Sequence, residues 1–139
     1  MSVAYEADAI LDGLDQTRRQ IRDAMALGRS LAGKVDRIHF VAAGSANRAM
    51  RGLSYWIELF SPSLEVRRSF PAELMLQDPK RIDERTLVFL ASKSGSTPET
   101  VAAADFLAGR PTAATIGFSQ FADRPLARKI PQTFLVGDT

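Results

Sequence analysis

The sequence predicts an α/β fold, a three-layer αβα sandwich built on a five-stranded parallel sheet, from three observations. Short apolar runs alternate with segments of helical periodicity along the chain. The run at 86–91 is apolar on both faces around Val88, Phe89 and Leu90, as a strand covered by helices on each side must be. Two of the runs end directly in glycine-and-serine turns that open a helical pattern, the grammar of strand, turn and crossover helix.

The elements follow in order. Ile10, Leu14, Ile21 and Met25 mark an amphipathic helical arm from residue 4 to about 31, ended or interrupted near Gly28 or Gly33. This arm, residues 1–33, is expected to stand apart from a domain at 34–139, with Arg18, Arg19 and Arg22 on a solvated face. Residues 37–43 read as the first strand. The turn Gly44-Ser45-Ala46-Asn47 then starts a helix whose Ala49, Leu53, Trp56, Ile57 and Phe60 share one face, so Trp56 is expected to pack in the core. Ser61-Pro62-Ser63 is a turn, 64–68 a short strand, and 70–77 a short helix closed by Asp78-Pro79. Residues 86–91 form the next strand, and Val101, Ala104 and Leu107 face the sheet from the helix after it. Beyond the break at Gly109-Arg110-Pro111, 112–118 is the fourth strand, 119–129 a loop with a short helix, and 133–136 the fifth strand.

The chemistry concentrates in Ser92-Lys93-Ser94-Gly95-Ser96-Thr97-Pro98-Glu99-Thr100. Hydroxyls, free backbone amides and a flexible glycine meet at a helix start, where the positive end of the helix favours an oxyanion. Either Thr97 caps the helix before Pro98, or Ser96 and Glu99 form a capping box; the readings differ by one residue. The Gly44-Ser45 turn repeats the arrangement at another strand end. Neighbouring strands would merge the two into one hydroxyl-lined site outside the carboxyl edge of the sheet.

These two segments resemble the signature loops of the SIS (sugar isomerase) domain family, the second being close to Ser-x-Ser-Gly-x-Thr-x-Glu/Asp-Thr. Within the family the chain is most similar to the N-terminal half of the fructosamine deglycases that act on fructoselysine 6-phosphate. The resemblance runs to Val136 and implies a flavodoxin-like, Rossmann-like sandwich and a phosphorylated sugar or amino sugar as ligand. It assigns Ser92, Ser94 and Thr97, with Lys93 and Gly95, to the phosphate, and Gly44 and Ser45 to the sugar and one side of the phosphate. Two positions depart from the pattern. Ala46 stands where many isomerases carry serine, and Lys93 where glutamine is common; the lysine either adds charge to the site or points to solvent. Ala72-Glu73-Leu74 resembles a short ligand-proximal segment of relatives, with an ordinary helix-surface role for Glu73 as the alternative.

The resemblance implies a phosphosugar-binding domain, the front part of a phosphosugar isomerase or fructosamine-6-phosphate-type deglycase. Its alternative is a non-catalytic sugar-phosphate-sensing or interaction module. No catalytic base is identified: the family's glutamate base lies in a further half, and the chain is expected to be truncated after the last strand. A homodimer, or pairing with a second SIS domain, is expected.

Composition narrows the classes further. The chain has 139 residues, 45% hydrophobic and 24% charged, within the single-domain range. There is no cysteine, hence no disulfide or thiolate metal site, in keeping with a reducing cytoplasm. A net charge of +2 with scattered basic residues does not suggest nucleic acid, and no apolar run approaches bilayer length. No cofactor and no metal are expected. His39, the only histidine, sits inside a strand pattern and reads as structural. Gly28 to Lys34 matches a nucleotide phosphate loop in spacing alone, because Val35 replaces its Ser or Thr and a strand follows rather than precedes it.

Overall fold

In the computed structural model, which describes residues 7–77, 80 and 82–137, five strands run parallel in one sheet. They are β1 (Arg37–Ala42), β2 (Glu65–Ser69), β3 (Thr86–Ala91), β4 (Ala114–Ser119) and β5 (Thr133–Leu135), in the order β2-β1-β3-β4-β5. The helices are α1 (Ala7–Arg19), α2 (Ile21–Leu31), α3 (Gly44–Phe60), α4 (Pro71–Gln77), α5 (Pro98–Ala108) and α6 (Pro125–Lys129). Strand bounds lie within two residues of those the sequence predicts. Asp78-Pro79, read as the close of α4, falls outside the described residues.

Both faces of the sheet are buried, which is why its strands read as apolar runs rather than alternating ones. On one face Val41, Val88 and Leu90 pack with Leu74 of α4, Ala103, Ala104 and Leu107 of α5, and Leu126 of α6. Leu74, Leu90 and Leu126 are wholly buried, each worth about 2 kcal/mol of transfer free energy. On the other face Ile38, Phe40, Leu87 and Ile116 meet Met50 and Ile57 of α3 and Leu27 and Leu31 of α2. A row of stacked rings crosses that face, from Phe40 to Phe89 (5.1 Å between centroids), Phe118 (5.7 Å) and Phe134 (6.0 Å).

One expectation is corrected. Trp56 is not in the core: it is 56% exposed, as are Leu53 and Phe60 at 54% and 71%. The buried residues of α3 are Met50 and Ser54, and of the expected stripe Ile57 is half-buried against the sheet. Polarity alone favours the other stripe, because Ser54 looks like a surface residue. Its hydroxyl, however, donates to the Met50 carbonyl at 2.7 Å and so is buried at little cost.

The arm breaks at Gln20 and ends at Leu31, two residues before Gly33 as expected, with Gly28 inside α2. The Gln20 amide reaches across to the outer edge of β5, accepting from Leu135 N at 2.8 Å and donating to its carbonyl. Gln20 therefore acts as one residue of an extra strand and covers an otherwise open edge. Gly13 is buried directly against Gly137, with no room for a side chain between them. Leu14, Ile21 and Met25 of the arm stay more than half exposed. Arg18, Arg19 and Arg22 are exposed as expected.

Candidate functional site

The sheet reverses its winding between β1 and β3. From β1 the chain crosses through α3 to β2 on one side, and β3 then joins β1 on the other. In an open parallel sheet such a switch point opens a crevice at the carboxyl ends. Register sharpens it here: Ala42 is paired with Ala91, so the two following loops leave the sheet side by side. Between them lies a cleft of about 450 Å³.

The first connection is Ala43 alone, and Gly44 to Asn47 form the first turn of α3. Gly44 takes φ +59°, a left-handed conformation open to glycine, and Asn47 closes the turn by donating to the Ala42 carbonyl at 3.0 Å. Gly44, Ser45 and Ala46 line the cleft.

The second loop is tighter. Ser92 is buried, and its hydroxyl lies 2.8 Å from that of Thr97. Gly95 turns the chain at φ +66°, donating its amide to the Ser92 carbonyl at 3.0 Å and hydroxyl at 3.1 Å. Its carbonyl accepts from Leu126 N at 3.0 Å, which ties the loop to α6. Ser94 is exposed, and its hydroxyl accepts from Ser96 N at 3.2 Å.

Thr97 holds the N-cap position before Pro98, which decides between the two capping readings, yet its hydroxyl does not cap the helix. It is engaged by Ser92, so the first-turn amides of Glu99 and Thr100 receive no side-chain cap from it. An 11-residue helix thus presents its positive end to the cleft.

Of the residues the sequence singles out, Gly44, Ser45, Ser92, Lys93, Ser94 and Thr97 line one cleft. Gly95 does not; it is buried behind the loop and serves by shaping it. Lys93 is exposed at the rim, its carbonyl held by Gln120 N at 3.1 Å. Glu73 is not among the lining residues, and its carboxylate accepts from Phe70 N at 2.9 Å at the start of α4. His39 is also away from the cleft, 5% exposed and bonded to Ser69 Oγ at 2.7 Å. Burial first, and then the Arg67 charge, push its pKa down to about 4.

Sequence reasoning missed the third wall. Gln120 and Phe121, just past β4, complete the cleft with Thr100 of α5. The signal was their place after a strand end, since neighbouring parallel strands bring all their carboxyl-end loops to one side. Among the described lining residues there is no carboxylate and no imidazole, and among all described residues no cluster fit for a metal. No helix of the described residues is long and apolar enough to cross a membrane.

A doubly wound sheet with oxyanion-ready loops at its switch point defines an α/β ligand-binding domain. Comparison with known proteins makes the class specific, although no protein-family model matches the chain. The fructosamine deglycase FrlB of Bacillus subtilis (strain 168) is 34% identical over 114 residues, which is 81% of this chain and 34% of that protein. The agropine synthesis conjugase of Rhizobium rhizogenes is 34% identical over 130 residues, 91% of this chain and 36% of that one. A solved Bacillus subtilis structure assigned as a phosphosugar isomerase superposes with a TM-score of 0.76 at 31% identity, over 87% of this chain and 37% of the other. Homology to the deglycase and likeness to solved phosphosugar isomerases support a relationship of this chain to the SIS-domain family. It spans about a third of the length of these relatives.

Proposed function

We propose that the chain binds a phosphorylated sugar or amino sugar through Gly44, Ser45, Ser92, Lys93, Ser94 and Thr97, with Gly95 shaping the loop, as part of a cytoplasmic isomerase or deglycase. The observation that carries the reading is the hydroxyl-lined cleft at the uncapped start of α5. A dianionic phosphate there accepts hydrogen bonds from the Ser92 and Thr97 hydroxyls and from the first-turn amides, and gains from the helix end. The phosphate is a handle: binding energy spent far from the reacting carbons holds them in place. Proton transfer between C1 and C2 of an opened sugar needs a base, and the described lining residues include no carboxylate or imidazole for it. In this reading the loops bind and orient the sugar.

Thermal unfolding with glucosamine 6-phosphate, fructose 6-phosphate, fructosamine 6-phosphate, inorganic phosphate and the unphosphorylated sugars tests the reading. Ligand at a hundred times its dissociation constant is expected to stabilise by about 2.7 kcal/mol. The shift should require the phosphate and shrink in Ser94→Ala. A folded chain that no phosphosugar stabilises refutes it.

The reading includes a partner, a second copy of this chain or another SIS-type unit. Ala49, Leu53, Trp56 and Phe60 recur along the outer face of α3, and the last two rings stack at 5.5 Å. An exposed aromatic stripe on a helix whose other side is already packed is a pairing surface. Sedimentation velocity is expected to show association that the pair Trp56→Ser and Phe60→Ser abolishes while leaving the melting temperature within a few degrees, both rings being more than half exposed. A wild-type chain that stays monomeric at high concentration removes self-pairing from the reading.

A further inference from the structure

Among the described residues, two buried side-chain polar atoms lack a hydrogen-bond partner, Arg37 Nε and Thr100 Oγ1. The first is explained locally, because the Glu65 carboxylate lies 3.7 Å from it and balances its charge. Thr100 has no such explanation. Its side chain is fully buried in the first turn of α5, where it lines the cleft. A helical threonine ordinarily satisfies its hydroxyl on a carbonyl three or four residues back; here the Thr97 carbonyl takes the Val101 amide, and Thr100 makes no such bond. An unsatisfied buried hydroxyl destabilises a fold, and valine would fill the same space without it. The hydroxyl thus costs stability where it stands.

Its position suggests what it serves. Thr97 and Thr100 are three residues apart, neighbours on one helix face. The Thr97 hydroxyl is engaged with that of Ser92 at 2.8 Å. We infer that Thr100 is a positioning residue for the bound oxyanion: when Thr97 turns its proton to the ligand, Thr100 donates to the freed Thr97 oxygen. The chain of donors then runs from Thr100 to Thr97 to the oxyanion. Each bond polarises the next, and Thr97 is fixed as a donor. The inference rests on the oxyanion-binding reading above.

The test uses the full chain with Thr100→Val and Thr100→Ser, inorganic phosphate and fructose 6-phosphate as probes, calorimetry for affinity and thermal unfolding without ligand. Thr100→Val is expected to melt above wild type when unliganded, yet to bind both probes about tenfold more weakly, one hydrogen bond's worth. Thr100→Ser is expected to bind within about twofold of wild type. Higher stability with weaker binding is a split that loss of packing cannot produce. A valine variant that binds as wild type does overturns the inference, and so does a serine variant as weak as valine, which would make the methyl group the cause. A folded wild type that binds neither probe refutes the oxyanion reading itself, and the role of Thr100 with it.

Discussion

Gly95→Ala is expected to lower the melting temperature by about 10 °C and to abolish phosphosugar binding. Two independent penalties act. Alanine at φ +66° incurs about 1–2 kcal/mol of backbone strain. A Cβ there would also stand 2.6 Å from Ser119 Oγ and 2.7 Å from Arg124 Cβ. Arg124 Cβ is fixed to its backbone and Ser119 is wholly buried, so the loop must move. Movement pulls the Gly95 amide from Ser92 and its carbonyl from Leu126, which disorders the hydroxyls meant for the ligand. We expect about 3 kcal/mol in all. Gly52→Ala is the control. That glycine lies in the exposed middle of α3 with nothing within 4 Å of an added Cβ, and alanine there should stabilise by about 0.5–1 kcal/mol. If Gly95→Ala melts as wild type, the geometry assigned to the second loop is wrong.

Stability is expected to fall by about 3 kcal/mol between pH 6.5 and pH 4 on account of His39 alone. Its folded pKa of about 4 lies below the unfolded value of 6.5, so in that window the unfolded chain binds the extra proton. Stability from this group is complete above pH 6.5, is lost as pH falls, and is gone by about pH 4. Arg67 adds to the effect, and Glu65 opposes it. His39→Gln keeps a partner for Ser69 and cannot titrate, so its stability should fall less steeply over the same window, with carboxylate contributions common to both chains. As the only histidine, His39 offers a single imidazole signal to follow by NMR. A midpoint above pH 6 in the folded protein would contradict its burial.

The site was legible to unequal depths. That Ser92, Ser94 and Thr97 line one cleft was legible because their hydroxyls cluster between an apolar strand and a proline-led helix. Gly95 was legible through its conformational freedom, and the structure gives it φ +66° behind the residues that line the cleft. Gln120 and Phe121 went unread because no local pattern marks them; they reach the cleft only through the pairing of β3 with β4. Trp56 misled because the more apolar stripe of α3 faces outward, while a self-bonded serine lies in the buried one. Gln20 carried no signal at all, its partner Leu135 being 115 residues away.

By itself the sequence determined the parallel α/β architecture, the approximate limits of its strands, and the two hydroxyl-bearing loops that meet in the cleft. These depend on interactions within a few residues: strand and helix periodicity, glycine dihedrals, and proline at a helix start. Tertiary structure alone decided which face of α3 is buried, how the arm closes the β5 edge, where the winding reverses, and that Thr100 lies unpaired beneath the cleft. Those depend on which distant segments meet, and burial turns each meeting into a free energy that local pattern does not contain.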